Sequence, residues 1–115
     1  MQRRDKSINY VEFGVADMTR TKAFYASAFG WTFTDYGPDY CEFSDGQMQG
    51  GFDASVPPRP GLPLIVLYGD DLEGLQKAVT REGGSISKPI FDFLGGKRFQ
   101  FIDPNGYELG VWSAA

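Results

Sequence analysis

Histidine is absent from this 115-residue chain, and cysteine occurs once, at Cys41. The first absence excludes Ser-His-Asp and Cys-His catalysis, histidine general bases and every histidine-containing metal site. The second excludes an internal disulfide and a cysteine-built zinc site, so Cys41 reads as a small buried hydrophobe without a base to activate it. Basic residues are scarce: 11 Lys and Arg stand against 15 Asp and Glu, a net charge of −4. The only basic cluster, Arg3, Arg4 and Lys6, is interrupted by Asp5. Nucleic acid and acidic membranes both reward a basic stripe, and neither is an expected partner. No apolar run approaches a membrane span, and no signal-peptide pattern precedes Ile8, so a cytoplasmic protein is expected. Carboxylates, Lys, Arg, Tyr and the backbone remain for chemistry. No phosphate loop, GxGxxG or nucleophile elbow is present, and no cofactor is called for.

Hydrophobic residues make up 42% and charged residues 23%, ordinary for one globular domain spanning residues 1–115. Aromatic residues reach 16%, more than a small core needs, which leaves rings for a pocket or an interface. Ile8 to Val15 alternates like a strand, with Val11, Phe13 and Val15 on one face and Tyr10 and Glu12 on the other. Asp17 is a helix N-cap candidate. The following helix, Thr19 to Phe29, carries an apolar face through Ala23, Phe24 and Ala28 and ends at Gly30. Strands follow at Trp31–Tyr36, Tyr40–Ser44 and Met48–Phe52, with turns at Gly37-Pro38-Asp39 and Asp45-Gly46. The segment SVPPRPGLP, with four prolines, reads as a linking loop.

The pattern then restarts. Leu64–Tyr68 is a strand, Asp70 or Asp71 caps a helix over Leu72–Glu82, and Gly83-Gly84 ends it. Extended segments at Ser85–Phe93, Lys97–Ile102 and Tyr107–Ser113 are joined by turns at Gly95-Gly96 and Asp103–Gly106. The result is β-α-β-β-β written twice: a module over residues 8–53, a Pro-rich linker over 54–63, and a second module over 64–113. Asp17 and Asp71, Gly30 and Gly84, and Tyr10 and Leu64 all stand 54 residues apart. After the helices an offset of 60 aligns Gly46 with Gly106, Gly50 with Gly110 and Phe52 with Trp112. Turn residues recurring at fixed offsets point to an internal duplication.

The segment VADMTRTKAFYASAFGW resembles the first strand-helix signature of the vicinal oxygen chelate superfamily, which includes glyoxalase I, bleomycin-resistance proteins and extradiol dioxygenases. DPNGYELGVW is similar to that superfamily's closing turn and strand. The resemblance implies an α+β fold in which two tandem βαβββ modules form a curled mixed sheet around a cavity. It also implies that metal-dependent relatives hold a divalent ion there on four side chains, typically His, Glu, His and Glu. Carried onto this chain, those positions fall on Tyr10, Gly50, Leu64 and Gly110. None is a good metal ligand, so no metal is expected. The bleomycin-resistance branch likewise lacks the ion and sequesters its ligand.

Alternation assigns the cavity face of each strand. Tyr10, Glu12, Tyr40, Glu42, Tyr68, Arg98, Gln100, Glu108 and Trp112 are expected to face inward, and Cys41, Phe43, Phe99 and Phe101 to lie beneath the helices. The ligand-binding candidates are Tyr10, Glu12, Tyr40, Tyr68, Arg98, Gln100 and Trp112. Two functions follow. One is a metal-independent small-molecule binding protein that holds a planar or aromatic ligand between Tyr and Trp rings. The other is a metal-independent isomerase or lyase with Glu12 as general base and Tyr10 or Arg98 polarising an oxygen. The hairpin Phe91–Phe99 is read as a plain hairpin, a lid or a dimer contact. A homodimer is expected, formed side by side or by exchange of modules about the Pro-rich linker.

Overall fold

The computed structural model describes residues 5–6 and 8–114, so Arg3 and Arg4 of the basic cluster lie outside the described residues. The chain forms two compact units, residues 1–59 and 60–115. In the first, β1 (Tyr10–Gly14), α1 (Met18–Phe29), β2 (Thr32–Asp35), β3 (Tyr40–Ser44) and β4 (Gln49–Asp53) follow one another. In the second, β5 (Ile65–Tyr68), α2 (Leu72–Arg81), β6 (Ser85–Phe93), β7 (Gly96–Ile102) and β8 (Glu108–Ser113) repeat the order. Each unit is a four-stranded mixed sheet, ordered β1-β4-β3-β2 and β5-β8-β7-β6. The first strand of each runs parallel to the last, and the other pairs are antiparallel. No helix among the described residues is long and apolar enough to cross a membrane.

The two helices start alike. Asp17 and Asp71 accept from the backbone N–H groups of Arg20 and Gly74, each at 3.0 Å, which satisfies a donor the first turn leaves open. Gly30 closes α1 in the left-handed region at φ 74°, a conformation only glycine enters freely. The buried face of α1 is Thr21, Phe24, Tyr25 and Ala28, whereas Ala23, expected there, is exposed. The correct stripe includes two hydroxyl-bearing residues, and Thr21 enters it by donating its hydroxyl to Asp17 O at 2.7 Å. Beneath α1, Tyr25 stacks on Trp31 with centroids 4.5 Å apart, Trp31 on Phe43 at 4.7 Å, and Phe43 packs on Phe52 at 4.8 Å. Cys41 is fully buried in this layer, and burial pushes its thiol pKa up, as a structural cysteine requires. The second core joins Leu72, Ala78 and Val79 of α2 to Phe99, Phe101, Leu109 and Val111.

The ladders refine the internal repeat. Glu12 pairs with Gly51, and Val66, 54 residues on, pairs with Gly110. Glu42 also pairs with Gly51, and Gln100 with Gly110. The offset is therefore 58 along β3 and β7 and 59 along β4 and β8, not 60. The cause is the turn between them. Asp45 N–H bonds Met48 O, whereas Asp103 N–H bonds Tyr107 O one residue further along. In both turns the aspartate Oδ1 holds two backbone N–H groups. Gly110 is thus equivalent to Gly51, and Trp112 to Asp53.

β6 departs from its counterpart β2. Its pairing with β7 shifts register between Ile86 and Lys88 and again between Lys88 and Phe91. Pro89 lies in the second irregularity, where its missing N–H costs no ladder bond on an edge strand. Ile90 N–H turns to Gln76 Oε1 of α2 at 3.2 Å. The hairpin tip is Leu94-Gly95 rather than Gly95-Gly96, since Phe93 pairs with Gly96 and Gly96 already begins β7.

Candidate functional site

Each sheet has one face under its helix and one face opposite. The register assigns Tyr10, Glu12, Tyr40, Glu42 and Gly51 to the open face of the first sheet. Val66, Tyr68, Phe91, Phe93, Arg98, Gly110 and Trp112 fall on the open face of the second.

On the first sheet the tyrosines and Glu12 form a line. Tyr40 Oη donates to Glu12 Oε2 at 2.9 Å and lies 2.6 Å from Tyr10 Oη. Tyr40 has one proton and Glu12 is the acceptor for it, so the hydroxyl of Tyr10 donates to Tyr40. Burial, reinforced by the hydrogen bonds to Tyr10 and Glu12, pushes the Tyr40 phenol well above its usual pKa. Gly51 makes the arrangement possible. A Cβ at this position would collide with Tyr40 Oη and come within 3.0 Å of Tyr10 Oη.

On the second sheet Arg98 and Trp112 are direct cross-strand partners, as are Tyr68 and Trp112. Tyr68 stands edge-on to Trp112 with centroids 5.1 Å apart, and Phe93 does so at 6.1 Å. The Arg98 guanidinium carbon lies 5.5 Å from the Phe91 ring centre and 5.6 Å from that of Phe93. These are cation–π distances. Val66, Phe93, Gly95, Arg98 and Trp112 line an open cleft of about 300 Å³. Arg98 Nε is buried there without a hydrogen-bond partner.

Not every candidate faces this cleft. Gln100 is only 4% exposed, and its amide donates to Glu108 Oε2 at 2.9 Å. Ser87 Oγ donates to the same oxygen at 2.7 Å, and the two bonds hold the Glu108 carboxyl below its usual pKa. Gln100 and Glu108 thus brace one another beside the cleft. Tyr10, Glu12 and Tyr40 are brought together on the first unit; Tyr68, Arg98 and Trp112 are brought together on the second. Val66, which the alternation of its strand puts on the same face as Tyr68, completes the cleft lining with Phe93 and Gly95, and none of the three was a ligand-binding candidate. The period-two spacing of Phe91 and Phe93, on the strand preceding that of Arg98, was the available signal. Leu94 at the tip is fully exposed, while Phe91 and Phe93 turn toward Arg98.

The implied metal positions do not suit a divalent ion. Gly50 points beneath α1, where a Cβ would meet the Phe43 ring and Val11 O, so the open-face position is Gly51. Gly51, Gly110 and Leu64 offer no side-chain donor, and the Tyr10 hydroxyl is engaged by Tyr40. Among the described residues, no group of three or more His, Cys, Asp or Glu could hold a metal ion.

Comparison with known proteins places these units in context. Residues 7–111 match the model of the Glyoxalase/Bleomycin resistance protein/Dioxygenase superfamily. CFP32 of Mycobacterium tuberculosis strain CDC 1551, which carries a provisional glyoxylase name, is 31% identical over 96% of this chain and 47% of its own length. The anthracycline biosynthesis protein DnrV of Streptomyces peucetius is 31% identical over 90% of this chain and 45% of its own length. The chain thus spans about half the length of these curated relatives. TnmS3, an antibiotic binding protein from Streptomyces sp. CB03234, superposes with a TM-score of 0.75 at 16% identity, covering 99% of this chain and 100% of its own.

Proposed function

The chain belongs to the Glyoxalase/Bleomycin resistance protein/Dioxygenase superfamily, and on that footing we propose that it is a metal-independent small-molecule binding protein that holds a planar aromatic ligand in the Trp112 cleft. The observation that carries this reading is the composition of the cleft. Val66, Phe93 and Trp112 supply apolar and aromatic walls, and Arg98 is the one charged side chain among the lining residues, its Nε without a hydrogen-bond partner. A mostly apolar concavity with one well-placed polar anchor is how proteins usually take up small molecules. Trp112 supplies ring area, and the planar fork of Arg98 fixes an oxygen of the ligand. Glycine at positions 51 and 110 supports the metal-independent part of the proposal. The anthracycline biosynthesis protein among the sequence relatives supports a small organic ligand. The protein is proposed to act as a homodimer, since each sheet ends in two edge strands, β1 and β2 or β5 and β6.

The test is calorimetric titration with anthraquinone-2-sulfonate, a soluble planar probe, in the presence of a chelator. Wild type is expected to bind. Trp112→Ala is expected to bind roughly tenfold or more weakly, the effect of a lost aromatic anchor. Equal binding by both proteins would overturn the proposal.

A second reading rests on the Tyr10–Tyr40–Glu12 line. Glu12 would serve as general base for an isomerase or lyase reaction, with the Tyr10 hydroxyl oriented by Tyr40. The provisional glyoxylase name of CFP32 favours a search for it. Protein-catalysed exchange of a carbon-bound hydrogen of a bound ligand with deuterated solvent, abolished by Glu12→Gln, would establish it. Exchange unchanged in that variant would dismiss it.

A further inference from the structure

Resting on the binding reading above, we infer that the Trp112 cleft selects an aromatic carboxylate, its carboxylate seated beside Arg98 over Gly110. Three observations converge. First, Arg98 is a cation without a counter-ion. Neither the Lys22–Asp35 nor the Arg81–Glu82 ion pair involves Arg98. No acidic side chain lines the cleft, and the Arg98 Nε is removed from solvent without a partner. A guanidinium donor in that state is costly, and an anion relieves the cost most fully.

Second, the Arg98 guanidinium carbon lies 5.5 and 5.6 Å from the Phe91 and Phe93 ring centres, and its two Nη groups, unlike Nε, are not buried and are the donors open to a ligand. They present donors as a pair, the geometry that matches a carboxylate rather than a single carbonyl oxygen.

Third, the second sheet leaves a place for the missing carboxylate. Gly110 lies between Val66 and Arg98. A Cβ built there would sit 3.5 Å from Val66 Cγ2 and 3.6 Å from Arg98 Cδ, ordinary contact distances. A side chain at this position would run along the Arg98 stem, and a carboxylate on it would neutralise the guanidinium. The chain carries glycine instead, so the ion pair is left for the ligand to complete. The equivalent Gly51 has no such space, because the Tyr40 hydroxyl fills it.

The experiment titrates the whole chain with 2-naphthoate and with its neutral counterpart 2-naphthamide, followed by calorimetry. Wild type is expected to prefer naphthoate by tenfold or more. Arg98→Met should reduce the preference to about threefold or less, and Gly110→Glu, which supplies an internal carboxylate, should do the same. Trp112→Ala should weaken both probes alike and leave the preference in place. Circular dichroism checks that Gly110→Glu folds, and if it does not, Arg98→Met decides. Equal affinity of wild type for the two probes, both dependent on Trp112, would overturn carboxylate selection and leave the binding reading standing. Binding of both probes unaffected by Trp112→Ala would overturn the binding reading itself.

Discussion

Removing a single oxygen from Tyr40 tests the hydroxyl line on the first sheet. Tyr40→Phe keeps the ring that lies across Gly51, so no cavity opens. It deletes the donor to Glu12 and the acceptor for Tyr10, at 2.9 and 2.6 Å. Glu12 and Tyr10 are both exposed and regain water when released, which holds the loss to the ordinary net value of about 1 kcal/mol. For a domain of this size that lowers the Tm by roughly 4–6 °C at pH 7. The pH dependence carries a sharper signature. The phenol of Tyr40 is raised in the folded state, whereas the unfolded chain releases that proton near pH 10. Below pH 10 both states keep the proton, and the stabilisation is fully present. Above it the unfolded state binds fewer protons than the native state, so stability falls as pH rises, by up to about 1.4 kcal/mol per pH unit. The variant lacks this group. Its deficit should therefore shrink between pH 9 and pH 11. Urea unfolding of both proteins at pH 7, 9 and 10.5 reads this directly. A deficit independent of pH, or no deficit at pH 7, would refute the assignment of Tyr40 as a proton-holding donor.

Gly51→Ala should destabilise by about 1–3 kcal/mol because its Cβ displaces the Tyr40 hydroxyl, whereas Gly110→Ala should be nearly neutral; urea midpoints compare them. Combining Gly51→Ala with Tyr40→Phe should recover part of the loss, since the colliding atom is gone. Elemental analysis of the purified protein should find no stoichiometric divalent transition metal, and one tightly held ion per chain would contradict the donor-set argument. Sedimentation at micromolar concentration should show a species of twice the 12.8 kDa chain mass, and a monomer alone would remove the homodimer.

Much of this was legible before the structure. The alternation of β1 and β3, the paired aspartate caps and the repeated β-α-β-β-β order each follow from local rules of side-chain direction and backbone satisfaction. The errors are equally physical. Ala23 is exposed rather than part of the buried stripe of α1, and Tyr25 enters that stripe by stacking its ring on Trp31. The offset of 60 matched one pair of turn glycines, Gly46 and Gly106, but the turn lengths differ, and a one-residue slip sends Gly50 beneath the helix. Arg98 was correctly turned away from Phe99 and Phe101 because the neighbouring phenylalanines require the buried face. The period-two spacing puts Phe91 and Phe93 on one face, but their pairing opposite Arg98 and Gly96 follows from two register shifts between Ile86 and Phe91 that the spacing does not fix. Nor could alternation show that Gln100 spends its amide on Glu108.

The central claim, that the second sheet carries a ligand cleft built on Trp112, has an internal control in the sequence. The chain has two tryptophans, and Trp31 is buried beneath α1 at 8% exposure. Each indole N–H gives its own signal in a nitrogen-15 correlation spectrum. Titration with anthraquinone-2-sulfonate should move the Trp112 indole signal, assigned by its loss in Trp112→Phe, and leave the Trp31 signal in place. A stationary Trp112 signal at saturating probe, or equal movement of both, would contradict the account.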